Sequence, residues 1–96
     1  MQPTNNLHVG NYLGALKQYI DIQDTSDVEC FFFIADLHAL TVKFEPEELR
    51  NNVLNLAATY LAAGVDPNKS TIFIQSSIPD HAELAWIFNC ITRLGE

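Results

Sequence analysis

The residues best placed to do chemistry lie at the start of the chain, in the segment Gln2–Asn11, QPTNNLHVGN. Small, polar and glycine residues stand there directly before a predicted helix, where backbone N–H groups and the helix dipole attract anions. Gly10 would let a ligand approach the backbone closely, while His8 and Asn11 add side-chain donors. Such donors would stabilise charge on a phosphate during phosphoryl or adenylyl transfer. On the pattern alone, a helix capped by asparagine with nothing bound is the simpler interpretation.

A second group of polar residues follows the two apolar runs that are predicted to be strands. Asp36 and His38 come directly after the first run, and Gln75 and Ser76 end the second. Ligands of open α/β sheets bind at this edge. His38 could therefore hydrogen-bond a polar substrate group or simply a backbone partner, whereas Asp36 is more simply structural. Polar residues at strand ends are routine, so Gln75 and Ser76 carry less weight.

The remaining reactive side chains favour structural roles. His81 and Glu83 are simplest as polar residues at a helix start, and Trp86 as a core or interface residue. Cys30 and Cys90 lie in apolar stretches without metal-ligand spacing, which predicts buried reduced thiols, no disulfide and no zinc. No Ser-His-Asp order, glycosidase carboxylate pair or metal cluster can be assembled.

Periodicity indicates the elements that must position these residues. A helix from Val9 to about Ile22 is predicted, followed by a polar turn over residues 24–27 and a strand, Cys30–Ala35, covered on both faces. The buried face of the helix is expected to carry Val9, Tyr12, Leu13, Leu16, Tyr19 and Ile20.

The second half of the chain repeats this alternation. Pro46 and Gly64 bound a predicted helix, and Thr71–Gln75 reads as a second strand, reached by a parallel crossover. The apolar stripe of the helix comprises Leu49, Val53, Leu56, Ala57, Tyr60 and Leu61. A last helix begins near Pro79 or Asp80 and is expected to turn Leu84, Ile87, Phe88 and Ile91 inward. The order of elements predicts a doubly wound α/β fold.

Length and charge limit what these elements can do. Ninety-six residues make one small domain, and two parallel strands cannot bury both faces of a sheet, so we expect a piece of a longer protein that lacks its first strand. The net charge of −7 disfavours nucleic-acid binding except through local contacts or sequence outside this chain. No apolar stretch is long enough to span a bilayer and no leader is evident, which favours a soluble cytoplasmic protein without a membrane or DNA role.

Four stretches of the chain carry a family resemblance. They are residues 2–16 (QPTNNLHVGNYLGAL), 30–41 (CFFFIADLHALT), 60–76 (YLAAGVDPNKSTIFIQS) and 78–90 (IPDHAELAWIFNC). In this order they resemble the tryptophanyl-tRNA synthetases, whose Pro-Ser/Thr-Gly opening leads to a His-x-Gly-Asn form of the class I motif. The resemblance covers essentially the whole chain.

The resemblance implies a partial Rossmann-like (HUP-type) parallel sheet and a ligase that joins tryptophan to ATP, with Mg²⁺, and then passes it to tRNA(Trp). The tRNA would be bound by parts outside residues 1–96, and the enzyme would be a homodimer. His8 and Asn11 would be catalytic, with His8 stabilising the α-phosphate, and His38 would border the tryptophan pocket. The ATP-binding residues would be Gln2, Pro3, Thr4, Gly10 and Asn11, and the interface candidates Ile78, Leu84 and Trp86.

Two departures from the family pattern matter. Asn5 stands where glycine is usual and adds bulk near the phosphates. The Lys-Met-Ser-Lys-Ser-like loop, the acidic residue that reads tryptophan and the anticodon-binding helices would follow Glu96, so we expect this chain alone not to form aminoacyl-tRNA. The alternatives are a tyrosyl-tRNA synthetase, a nucleotidyltransferase, and a non-catalytic fragment that pairs with a full-length subunit.

Overall fold

Two parallel strands form the sheet. The computed structural model describes residues 1–3, 9–25, 27–93 and 95, with only the backbone at position 9. Strand β1 (Cys30–Ile34) pairs with β2 (Ser70–Ile74) from Cys30 opposite Ser70 to Ile34 opposite Ile74. Aromatic and β-branched residues favour this extended backbone. Both predicted strands and their parallel pairing are confirmed, with boundaries shifted by one residue.

A continuous helical segment precedes β1. It consists of α1 (Val9–Asn11), a π-helical turn (Tyr12–Leu16) and α2 (Lys17–Thr25). The predicted helix is therefore confirmed but runs further, and the turn expected from Asp24 was placed too early. The Lys17–Asp21 ion pair, with Nζ and Oδ2 2.7 Å apart, spans the first turn of α2.

The buried face of this segment is narrower than predicted. Leu16 is buried, and Tyr19 and Ile20 pack against the core, but Tyr12 and Leu13 are exposed. The π turn inserts an extra residue into the helical repeat at this point, so side chains before it no longer lie above those after it. The prediction that Tyr12 and Leu13 are buried was wrong for that reason.

Helix α4 (Pro46–Ala63) connects the strands. Pro46 occupies its first turn, and Gly64 ends it in a left-handed conformation (φ 118°) with its N–H bonded to the Leu61 carbonyl at 3.2 Å. Both predicted boundaries are confirmed. Leu61 is nevertheless exposed, because it lies one residue around the helix from the buried Tyr60 and beyond the stripe that faces the sheet.

The hydrophobic core lies on one face of the sheet. Its buried cluster comprises Leu16, Ile34, Val53, Leu56, Tyr60 and Val65. Along β1, Cys30 and Ile34 are buried while Phe31 is 57% exposed and Phe33 is also exposed. The expectation that β1 is covered on both faces is therefore wrong within the described residues, because α2 and α4 both pack against the same side.

Helix α5 (Pro79–Ile91) contributes little to this core. Its four residues expected to point inward are exposed, Trp86 is 70% exposed, and Cys90 is exposed rather than buried as predicted. The helix is joined to β2 by a 3₁₀ turn (Gln75–Ser77), and His81 in its first turn makes edge contacts with the rings of Phe33 and Phe73. These contacts hold only the start of α5, and its apolar residues extend away from the sheet.

The structure adds a short helix that periodicity did not predict. Helix α3 (Asp36–Ala39) follows β1 after the single residue Ala35. Four residues are too few to display a helical repeat in the sequence. In the described part of the chain, no helix is both long and apolar enough to cross a membrane.

Leu56→Ala is expected to lower the free energy of unfolding by about 2–5 kcal/mol, because it leaves a cavity in the core. Leu56 is 3% exposed, whereas Leu54 on the same helix is 61% exposed. The matched control Leu54→Ala should change stability by less than about 0.5 kcal/mol. Urea denaturation of both variants measures the difference, and equal losses would contradict this account of the core.

Candidate functional site

The first residues of the chain lie against the carboxyl end of β1. The Met1 carbonyl accepts a hydrogen bond from Ala35 N–H at 2.7 Å, and the Met1 amino group donates to the Phe33 carbonyl at 3.0 Å and to the Tyr60 hydroxyl at 2.9 Å. Partial burial lowers the pKa of this amino group, and burial raises the pKa of the Tyr60 hydroxyl. These hydrogen bonds place Gln2 and Pro3 at the carboxyl edge of the sheet, where ligands of α/β folds bind.

Gln2 and Pro3 line an open cavity of ≈ 220 Å³. Pro3 is buried and Gln2 is exposed, so the proline forms a fixed wall while the amide of the glutamine is available to solvent or ligand. The remaining wall comes from the end of α3, the loop after it and the first turns of α4: Ala39, Val42, Lys43, Phe44, Glu48, Leu49 and Asn52. The sequence did not single out this loop, which carries one positive charge, Lys43, into the cavity wall.

The ends of the two strands are joined by a side chain. Asp36 Oδ1 accepts a hydrogen bond from Ser76 N–H at 3.0 Å, so α3 and the 3₁₀ turn are held together. Asp36 thus has the structural role expected of it. Beside it, Gln75 Oε1 is buried without a hydrogen-bond partner. A buried oxygen without a hydrogen-bond donor lowers the stability of the folded protein. This oxygen lies at the carboxyl edge of the sheet.

His38 stands on α3 at the same edge. Its side chain is exposed, and its backbone carbonyl accepts bonds from Thr41 N–H at 3.2 Å and the Thr41 hydroxyl at 2.8 Å. The backbone of the histidine is therefore fixed while its imidazole faces outward. The structure brings Asp36, His38, Gln75 and Ser76 together at one edge, as their positions after the strands predicted.

The structure describes some, but not all, of the residues predicted to bind phosphate at the start of the first helix. Gly10 and Asn11 lie in α1, Gly10 exposed and Asn11 partly buried. Thr4 and His8, with the two asparagines between them, lie outside the described residues. Their predicted roles in ATP binding and catalysis remain predictions. Among the described residues, no group of three or more His, Cys, Asp and Glu side chains could hold a metal ion.

One buried polar residue was overlooked by the sequence reasoning. Gln23 follows Leu16, Tyr19 and Ile20 at helical spacing, so it stands on the apolar face of α2, and it is 7% exposed. A polar side chain in register with an apolar stripe was the signal that could have identified it.

A parallel sheet with helices and polar side chains at its carboxyl edge is the architecture of the open α/β proteins, which bind their ligands at that edge. The family described as "tRNA synthetases class I (W and Y)" matches residues 1–96, and the chain belongs to this family. The expected membership and the Rossmann-like fold are confirmed.

Curated relatives match the whole chain. The tryptophan–tRNA ligase of Caldanaerobacter subterraneus subsp. tengcongensis is 53% identical over 96 residues, which are 100% of this chain and 29% of that protein. The enzyme of the same name from Corynebacterium glutamicum is 57% identical over 97 residues, covering 100% of this chain and 28% of the relative. The chain thus spans less than a third of the length of these relatives.

Solved structures agree with the sequence relatives. Tryptophanyl-tRNA synthetase from Campylobacter jejuni, complexed with ADP and tryptophan, superimposes with a TM-score of 0.88 at 43% identity, covering 99% of this chain and 29% of that one. The synthetase from Mycoplasma pneumoniae gives a TM-score of 0.92 at 37% identity, covering 99% and 28%. The described elements therefore have the arrangement found in these enzymes.

Asp36→Ala is expected to lower the free energy of unfolding by about 1 kcal/mol, because Ser76 N–H loses its acceptor between the strand ends. The control is Asp27→Ala, which removes an exposed carboxylate before β1, at the opposite end of the sheet. That change should stay within about 0.5 kcal/mol. Chemical denaturation measures the free energy of unfolding of both variants. If the Asp36 variant is as stable as the control, the Asp36–Ser76 bond does not stabilise the edge of the sheet.

Proposed function

We propose that this chain forms the nucleotide-binding part of a tryptophan–tRNA ligase. The reaction joins the carboxylate of L-tryptophan to the α-phosphate of ATP, releases pyrophosphate, and transfers the tryptophanyl group to tRNA(Trp). The observation that carries the proposal is the match of curated tryptophan–tRNA ligases over 95–97 residues at 52–57% identity. The Campylobacter jejuni neighbour, complexed with ADP and tryptophan, supports both small-molecule substrates.

ATP is proposed to bind across the carboxyl edge of β1. Gln2, Pro3, Thr4, Gly10 and Asn11 are the proposed ATP-binding residues. Gln2 and Pro3 already line the cavity at this edge, and Gly10 is exposed at the first turn of the helical segment. A helix start offers N–H donors to phosphate oxygens, and the absence of a side chain at Gly10 allows their close approach.

His8 and Asn11 are the proposed catalytic residues. When the tryptophan carboxylate attacks, negative charge accumulates on the α-phosphate oxygens, and positioned donors stabilise it more in the transition state than in the ground state. The imidazole of His8 and the amide of Asn11 are donors of this kind. No protein nucleophile is needed, because the substrate carboxylate performs the attack.

His38 is the proposed residue of the tryptophan pocket. Its exposed imidazole lies on α3 at the same sheet edge as Gln2, and the Asp36–Ser76 bond fixes the start of that helix. A neutral imidazole can donate or accept one hydrogen bond, which suits the polar groups of an amino acid.

Mg²⁺ is proposed to enter with ATP, where it would neutralise phosphate charge. The tRNA is proposed to be held by polypeptide outside residues 1–96. The net charge of −7 would repel the phosphate backbone, and five basic residues are spread along the chain. The cytoplasm is the proposed compartment.

Tryptophan-dependent exchange of pyrophosphate into ATP tests the proposal in the full-length protein that carries this sequence. We expect exchange with tryptophan and at least about 100-fold less with tyrosine, since synthetase pockets reject an analogue with unmatched polar groups. His8→Ala should lower kcat about 100-fold, as loss of one charge-stabilising donor does.

Gly10→Ala should raise KM for ATP at least about 10-fold, because its methyl group would obstruct the phosphate. The matched control is Gly14→Ala, whose added Cβ would meet no atom within 4 Å. Exchange with tyrosine instead would identify the sister specificity of the same family. No exchange with either amino acid would contradict the proposed activity.

We also propose that the protein is a homodimer that uses α5. Trp86 and Leu84 are exposed on this helix, and Ile78 precedes it. Leu84, Ile87, Phe88 and Ile91 share one side of α5 and Trp86 lies on the other, so exposed apolar side chains stand on both sides of the helix.

Trp86→Glu is expected to shift the full-length protein from dimer to monomer in light scattering, because a carboxylate cannot be buried unpaired in an interface. Glu83→Ala on the same helix is the control and should leave the dimer intact. A dimer that persists in the Trp86 variant would exclude α5 from the interface. Mixing the 96-residue chain with a full-length subunit tests the alternative of a pairing fragment.

A further inference from the structure

The side chain of Gln23 makes four hydrogen bonds. Its Oε1 accepts from Asp66 N–H at 2.7 Å and from the Ser70 hydroxyl at 2.8 Å. Its Nε2 lies 3.2 Å from the Gly64 carbonyl and 3.2 Å from Asp24 Oδ1, donating to both. Gly64 and Asp66 belong to the loop that leads from α4 into β2, and Ser70 is the first residue of β2. Gln23 therefore fastens the carboxyl end of α2 to the start of the second strand.

Apolar contacts hold the rest of the helical segment from Val9 to Thr25 less firmly. Among its described side chains only Leu16 and Gln23 are buried. The ring of Tyr19 stacks on Phe32 with centroids 4.5 Å apart, and Ile20 packs against the core. Apolar packing is non-directional. Hydrogen bonds have preferred angles, so they fix the orientation of the helix more closely.

The amino end of the same segment is its exposed end. Gly10, Tyr12, Leu13 and Gly14 are all exposed, and no atom lies within 4 Å of a Cβ built at Gly14. Gly10 and Asn11 belong to the same continuous helical segment as Leu16, Tyr19, Ile20 and Gln23, so the contacts of those four residues also constrain their positions.

We propose that Gln23 is a positioning residue for the nucleotide site, fixing the rotation and tilt of the helical segment and through it the placement of Gly10 and Asn11. The inference rests on the proposed function, since it assigns no chemistry to Gln23 itself. Thirteen residues separate Gln23 from Gly10, about 20 Å of helix, so a tilt of about 5° at the fastened end moves the other end by about 2 Å. Misplacement by about 1 Å can cost about 100-fold in rate.

The test compares three variants of the full-length protein in tryptophan-dependent pyrophosphate exchange. Gln23→Met keeps the side-chain volume but removes all four hydrogen bonds, and Ser70→Ala removes one donor to Oε1. Lys69→Met is the control, because it breaks the exposed Lys69–Asp24 ion pair (3.0 Å) but removes none of the groups that bond Gln23, including Asp24 Oδ1. We expect KM for ATP to rise about 10-fold in Gln23→Met and about 3-fold in Ser70→Ala.

KM for tryptophan should change less than 2-fold in both, and Lys69→Met should leave both constants unchanged. A merely structural role would reduce the folded fraction, which lowers kcat and leaves KM for ATP unaltered. Unchanged KM for ATP in folded Gln23→Met, or equal increases in both KM values, would overturn the inference. If Gln23→Met does not fold by circular dichroism, Ser70→Ala decides in the same way.

The wild-type protein in the same assay separates the two proposals. Exchange with tryptophan in the wild type, together with unaltered KM for ATP in the variants, would remove only the role of Gln23. Absence of exchange in the wild type would remove the proposed function and the inference that rests on it.

Discussion

The burial of Tyr60 is the constraint on which the arrangement of this chain depends. Its side chain is 0% exposed, the ring of Tyr19 meets it edge-on at 6.2 Å, and its hydroxyl accepts from the Met1 amino group. Three parts of the chain therefore meet at one side chain: Met1, helix α2 through Tyr19, and helix α4, which carries Tyr60 itself. Burying a large ring with its hydroxyl satisfied contributes apolar area without leaving a polar group unpaired. The position of Gln2 and Pro3 at the sheet edge follows from this packing.

The sheet is protected on one side only, and this asymmetry explains the exposed aromatic residues. With α2 and α4 on the same face, Phe31 on the other face of β1 is 57% exposed, and the ring of Phe33 there contacts Phe73 of β2 and His81 in the first turn of α5. A two-stranded parallel sheet normally needs cover on both faces. The family to which the chain belongs has members more than three times its length, which accords with apolar surface that residues 1–96 do not cover by themselves.

The candidate site depends on how two strand ends are tied together. Parallel pairing brings the residues after β1 and β2 to one edge, and the Asp36–Ser76 bond closes that edge. The amino-terminal segment adds Gln2 and Pro3 beside it, while Gln75 leaves a buried oxygen without a partner. Exposed polar side chains, such as His38, and side chains that hold the backbone, such as Asp36, thus lie within a few residues of each other. Only their contacts in the structure distinguish them.

The sequence by itself determined the long helices and both strands, the parallel crossover and the edge of the sheet where polar residues gather. Periodicity, Pro46 and Gly64 report local backbone preferences, and the strand ends carry the polar residues after Ile34 and Ile74. The family was identified from four stretches of sequence that together extend over most of the chain and match the family in the same order. Which apolar residues are buried was decided by tertiary structure. Leu84 and Ile87 have the same helical spacing as Val53 and Leu56, yet only the latter face a sheet, since burial requires a partner surface and periodicity records only that one side of a helix is apolar. The role of Gln23 was likewise decided by tertiary structure, because three of its four partners lie 41 to 47 residues away in the sequence.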